Sequence, residues 1–168
     1  MNLSRPTRCA RGTSISKTVS DLTTRIATAS DLPAVASLFD GYRQFYEQAP
    51  DLALATAFIH DRITRNESVI LVAQERGVIV GFCQLYPSFC SVEAKPIYTL
   101  YDLFVAPAAR KLGAGRALLL AAEQHAVHNG FARMDLTTAK TNMPAQALYE
   151  SLGWHRDEVF YAYSKTVR

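Results

Sequence analysis

The run LFVAPAARKLGAGRALLLAAEQHA, residues 103–126, constrains the fold more than any other stretch. A β-rich segment, IYTLYDLFV (97–105), stops at Ala106-Pro107. The turn RKLGAG (110–115) then opens an apolar helix from about Leu112 to His128, which Asn129-Gly130 closes. FARMDLTTA (131–139) reads as the next strand. A strand, a helix and a strand in close succession imply a right-handed parallel crossover within one sheet.

The rest of the chain alternates in the same way. TRIATA (24–29) predicts a short strand. Residues 30–47 predict a helix, with Ser30 and Asp31 as cap candidates and Pro33 in its first turn. DLALATAFIHDRITR (51–65) predicts a second helix. SVILVAQE (68–75) and VIVGFCQLYP (78–87) predict strands joined at Arg76-Gly77, a hairpin signal. SFCSVEAKP (88–96) reads as a loop. Asn142 is placed to cap a short helix, Pro144 to Leu152, that ends at Gly153. Residues 155–167 read as a last strand. The order is βααβββαβαβ, which implies a mixed α/β fold around one sheet.

The 168 residues suit one domain, and 49% apolar content supports a full core without metal or disulfide staples. Cys9, Cys83 and Cys90 are an odd number with no metal-ligand spacing, which implies a reducing compartment, hence the cytoplasm. His60, His128 and His155 show no metal spacing either, and His125 follows Leu118 on an apolar helix face, as packing requires. No apolar run approaches the ~20 residues of a membrane helix. Of the 18 basic residues, Arg5, Arg8, Arg11 and Lys17 lie in the first twenty, leaving 14 against 15 acids. Residues 1–22 therefore read as a disordered basic leader and 23–168 as the single domain. Near-neutrality of that domain argues against nucleic acid as a partner.

The turn itself suits a phosphate. Gly113 and Gly115 permit close backbone approach at a helix start, and Arg110, Lys111 and Arg116 supply charge. A Walker loop would need Lys and then Ser or Thr after Gly115, where Arg116-Ala117 stand. A dinucleotide fingerprint would need glycine at Leu118. A tight turn with solvated cations is the plain alternative.

Phe104-Val105, the four residues 106–109 and then Arg110 through Gly115 resemble the acyl-CoA site of the GNAT N-acetyltransferases. Asn142, Ala145 and the run Leu148 to Trp154 are similar to the family's second signature. The likeness spans about 24–165 and is nearest to the diamine and polyamine branch. That branch has a Tyr-Glu pair ending the first helix, here Tyr46-Glu47, and an acidic strand end, here Asp102. It carries an acid where this chain has Tyr101.

The resemblance implies a mostly antiparallel sheet with a splayed parallel strand pair and helices on both faces. It implies acetyl-CoA as cofactor, a small-molecule amine as partner, and a homodimer. It places Leu103, Phe104 and Val105 along the pantetheine arm, with Asp135, Leu136 and Thr137 opposite. Arg110, Lys111, Leu112, Gly113, Ala114, Gly115 and Arg116 would hold the pyrophosphate, flanked by Asn142 and Ala145. An N–H near Val105 would face the oxyanion. Tyr149 falls at the general-acid position, although a tyrosine there also suits a core.

Tyr46, Glu47, Glu93, Tyr101 and Asp102 are the candidate substrate residues. Asp102 reads equally as an amine ligand or as a buried carboxylate bonded to a neighbouring loop, whereas Glu93, in a loop with Lys95, reads more readily as a solvated acid. The activity implied is direct acetyl transfer to a primary amine. The alternatives are a protein lysine or N-terminal acetyltransferase and a non-catalytic acyl-CoA sensor.

Overall fold

A computed structural model describes residues 21–167. Five strands form one sheet in the order of the chain: β1 (Leu22–Ile26), β2 (Val69–Glu75), β3 (Val78–Cys90), β4 (Lys95–Val105) and β5 (Met134–Asp135). The first four pair antiparallel, and β4–β5 is parallel, as the crossover requires. Helices α1 (Leu32–Phe45) and α2 (Leu52–Thr64) cover one face, while α3 (Ala114–His128) covers the other. Helix α4 (Met143–Glu150) packs beside α3 through Leu148 and Tyr149. No helix among the described residues is long and apolar enough to cross a membrane.

Local chemistry sets the element ends. Asp31 stands at the N-cap of α1, as the spacing suggests; it accepts from the Thr28 N–H at 2.7 Å and pairs with Arg25 at 2.6 and 2.8 Å, which adds a capped 3₁₀ turn, Ala29–Asp31, before the helix. Asp51 accepts from the Leu54 N–H at 2.9 Å and starts α2. Arg76 and Gly77 both take positive φ, 50° and 81°, as a two-residue hairpin needs.

Two cores share the sheet. Leu118, Leu119 and Ala122 of α3 bury against Leu85, Tyr98 and Leu100. Val35, Phe39 and Ile59 of α1 and α2 bury against Val72, Phe82 and Phe104. His125 belongs with the packing residues: its Nε2 lies 3.4 Å from the Tyr98 hydroxyl.

Three expectations need correction. Residues 88–96 are not a loop, because β3 and β4 extend into a hairpin closed by a turn at 91–94. Exposed polar positions mask a strand where the hairpin projects beyond the core. The 131–139 segment pairs with β4 only at Met134 and Asp135, because the chain then diverges from β4. No strand forms in 155–167, where Asp157 instead turns the chain by accepting from the Val159 and Phe160 N–H groups at 2.7 and 2.9 Å. Alternation specifies a pleated segment but not its partner, and two residues of β5 offer no edge to extend. The leader assigned to 1–22 falls outside the described residues, except that Leu22 already opens β1.

Candidate active site

The glycine turn folds as a helix entrance. Pro107–Ala109 makes a 3₁₀ turn, Lys111 and Gly113 take φ of 69° and 87°, and α3 begins at Ala114. The Ala117 N–H reaches the Gly113 carbonyl at 2.9 Å and starts the helical series. The N–H groups of Ala114, Gly115 and Arg116 therefore have no intrahelical acceptor. A Cβ built on Gly113 would meet nothing within 4 Å, so the turn borders open space. At Gly115 it would lie 3.4 Å from Leu148 Cδ2, so this glycine brings α3 close to α4.

That open space is a cavity of about 710 Å³. Arg110, Lys111, Gly113, Ala114, Gly115 and Arg116 line it at one end. Leu112 turns outward and is 47% exposed. Leu103, Phe104 and Val105 form a wall, because β5 leaves β4 after Thr99 and exposes the β4 edge beyond it. Leu136 and Thr137 stand on the opposite side. Asp135 does not join them, since its carboxylate pairs with Arg133 Nε at 2.8 Å. Asn142 caps α4 through the Ala145 N–H at 3.4 Å, and Ala145 and Tyr149 complete the lining.

Burial pushes the Tyr149 hydroxyl up to about 12, with Tyr46 contributing. It is therefore fully protonated at neutral pH.

A bulge in β4 makes the second feature. Gln84 stands opposite Asp102 and Leu85 opposite Leu100, which leaves Tyr101 without a partner on β3. The β3–β4 ladder is thus interrupted at Tyr101, while the β4 edge at Val105 has no partner on β5. Leu100 buries on the α3 side, whereas Asp102, two residues on, reaches a cavity lined by α1 and α2. A regular strand would put both on one face.

This second cavity, also about 710 Å³, is lined by Phe39, Tyr42, Leu54, Phe58 and Tyr86 together with Tyr101 and Asp102. Tyr42 and Tyr101 line both cavities. Asp102 is 4% exposed, and burial pushes its carboxyl up to about 6, which the nearby Tyr42 hydroxyl partly opposes.

The pattern of the acetyltransferase (GNAT) family matches residues 33–154. This chain belongs to that family. It is 49% identical, over 143 residues, to an uncharacterized N-acetyltransferase of Bacillus subtilis, YhfO, covering 85% of this chain and 96% of that protein. A probable acetyltransferase of Haemophilus influenzae is 29% identical over 74% of this chain and 84% of its own. The crystal structure of another probable acetyltransferase superposes with a TM-score of 0.80 at 36% identity, covering 87% of this chain and 98% of that one. An aminoglycoside N-acetyltransferase in complex with CoA shares the fold, with a TM-score of 0.71 at 20% identity, over 88% and 97% of the two chains.

Acetyl-CoA is the acyl donor of GNAT enzymes and supplies, when bound, an activated acetyl thioester. The residues present fit it. Free amides and three cations suit a pyrophosphate, and the bare β4 edge suits the amides of a pantetheine arm.

The substrate candidates are dispersed in this GNAT chain. Tyr46 lines the first cavity, Tyr101 both, and Asp102 the second. Glu47 ends α1 with φ 63°, exposed and off both cavities. Glu93 lies at the hairpin tip and pairs with Arg133. Tyr86 and Tyr101, two of the aromatic residues that the sequence suggests for an amine pocket, line the second cavity, whereas sequence reasoning missed Phe39, Tyr42 and Phe58. Their signal was the spacing of Phe39, Tyr42 and Tyr46, which continues the inner face of α1 toward the site.

Proposed function

We propose that this GNAT acetyltransferase acts on the primary amine of a small molecule by direct attack in a ternary complex. The observation that carries the reading is the meeting of two cavities at Tyr42 and Tyr101. One holds the glycine turn and Tyr149, and the other holds a buried carboxylate.

Asp102 binds the amine as its ammonium ion. Water and burial then remove a proton, since a free alkyl ammonium holds it to a pKa of ~10.4. The nitrogen forms a bond to the thioester carbon, the C–S bond breaks, and Tyr149 supplies a proton to the departing sulfur. The proton released by the amine replaces it. Backbone N–H groups on the free β4 edge near the Tyr101 bulge face the oxyanion.

Direct transfer is favoured because no cysteine lines either cavity among the described residues. Cys83 is buried with its thiol pushed up to about 12, which suppresses the thiolate a nucleophile needs. Cys83 and Cys90 are both unpaired, which supports a cytoplasmic protein.

A homodimer forms part of the reading. Val159, Phe160, Tyr161 and Tyr163 are 78–92% exposed, and a run of exposed apolar side chains suits a surface covered by a second copy. Sedimentation of the full chain is expected to give twice the chain mass.

The function is tested by incubating the protein with acetyl-CoA and either small primary amines or lysine-containing peptides, with mass spectrometry of the products. Acetylated small amines are expected. Acetylation of peptides alone would overturn the reading.

A further inference from the structure

The cavity under α1 and α2 has one acid on its walls, Asp102. Apart from Arg43, Ser88 and Thr99, the remainder of the lining is rings and aliphatic groups. Phe39 and Phe58 stack with centroids 5.0 Å apart, and Tyr86 stands edge-on to Tyr101 at 5.9 Å. The fully buried Gln84, opposite Asp102 on β3, donates its amide N–H to the Tyr86 hydroxyl.

The other charges beside this cavity are positive and already matched. Arg43 lines it, with Nη1 3.1 Å from Asp40 Oδ1 and 3.5 Å from the Ala49 carbonyl. Arg62 lies over the Phe58 ring at 4.4 Å, and its Nε stands 2.7 Å from Glu67. Neither Glu47 nor Glu93 reaches the cavity.

From this arrangement we propose that the acceptor is an arylalkylamine, a primary monoamine carried by a short chain on an aromatic ring, and that the enzyme discriminates against diamines and polyamines. The proposal rests on the acetyltransferase reading above and narrows its substrate. One ammonium finds Asp102, and the ring lies among aromatic faces and edges that favour offset and perpendicular packing. A second ammonium would give up its hydration with no further carboxylate on the cavity wall to receive it. A polyhydroxylated amine fares no better, since few polar groups line the cavity and the Tyr42 and Tyr86 hydroxyls are engaged within the protein.

The experiment uses the full chain at saturating acetyl-CoA and measures initial rates of thiol release with phenethylamine, hexylamine, hexamethylenediamine and spermidine. The expected kcat/KM for phenethylamine exceeds that for either polycation by at least about ten-fold. Two variants then test the location. Phe58→Ala is expected to raise the KM for phenethylamine about ten-fold, as loss of a ring from a pocket does. Leu54→Glu places an acid at the rim, where Leu54 is 52% exposed in the first turn of α2. An acid suits that end of a helix, so folding is preserved. It is expected to narrow the preference for phenethylamine over hexamethylenediamine at least about five-fold.

A wild-type enzyme that uses the diamine as well as phenethylamine would overturn the monoamine proposal and leave the acetyltransferase reading intact. An unshifted preference in Leu54→Glu would remove the acceptor from this cavity. Release with none of the amines, from protein that still binds acetyl-CoA in calorimetry, would overturn both readings.

Discussion

Tyr42 donates its hydroxyl hydrogen to the carbonyl oxygen of Tyr101 at 3.2 Å. This bond joins α1 to the bulge of β4 at the place where the two cavities meet. Burial, the Asp102 carboxylate and neighbouring tyrosines all push the Tyr42 hydroxyl far above its ordinary range, so it stays protonated and able to donate. The same bulge turns Asp102 toward α1. One irregular residue therefore fixes both the passage between cavities and the charge beside it.

Asp102→Asn separates the binding role of this acid from its cost to the fold. Burial raises the carboxyl from 3.8 to about 6. Its contribution to stability is thus complete below the unfolded value and is lost as pH rises through about 6. Above that pH the ionised group costs about 3 kcal/mol, from two pKa units at about 1.36 kcal/mol each. The variant is expected to melt higher than the wild type at pH ~8 and about equally at pH ~4 in calorimetric scans. In kinetics, kcat/KM for the amine should rise through pH ~6 in the wild type, and the variant should lose this limb.

The glycine turn and the α4 cap were legible in the sequence because both are local: spacing alone places free amides at a helix entrance. The same holds for the four helices, for β1 and β2, and for β3 and β4 outside the 88–96 hairpin. The cavity under α1 and α2 was legible only in Asp102, Tyr101 and Tyr86. Phe39 and Phe58 lie on different helices, and Tyr86 on a strand, so only tertiary packing brings them together. The Tyr101 bulge left no local mark either, since a shift of register depends on the partner strand. Asp135 shows the limit of transfer by position, because Arg133, two residues away, holds its side chain outside the site.

Gly113→Glu tests the cradle. The new side chain would enter open space among the amides and place a carboxylate where a pyrophosphate is expected. Acetyl-CoA affinity by calorimetry should fall at least about ten-fold. The control is Gly113→Ala, which bears the strain of φ +87° without the charge. It should cost about 1 kcal/mol of stability and change affinity less. Equal affinities in the two variants would place the phosphates elsewhere.

Gly81→Ala tests the wall of the cofactor cavity from behind. A Cβ there would lie 2.9 Å from the Phe104 carbonyl oxygen and 3.1 Å from Val105 Cγ2. Backbone must shift, at a cost of about 1–3 kcal/mol. The melting temperature should fall and the KM for acetyl-CoA should rise together. Gly77→Ala, at a hairpin turn with nothing within 4 Å, should lower stability through its φ of +81° and leave the acetyl-CoA KM unchanged.

Tyr149→Phe tests the proposed proton donor. The ring keeps its place beside Trp154, with centroids 5.9 Å apart, so packing is preserved while the hydroxyl is lost. A hydroxyl at about 12 is always protonated at neutral pH, but it is a weaker acid than an exposed phenol. It therefore assists by a hydrogen bond that tightens as negative charge grows on sulfur, with transfer completed when the amine's proton is available. A fall in kcat of about 10²–10⁴-fold is expected, with coenzyme A affinity held within about three-fold. A solvent-exposed thiol analogue with a lower pKa needs less assistance, so a donor thioester with a better leaving group should lose less rate in the variant than acetyl-CoA does. Equal losses for both donors, or an unchanged kcat, would make Tyr149 a packing residue of α4.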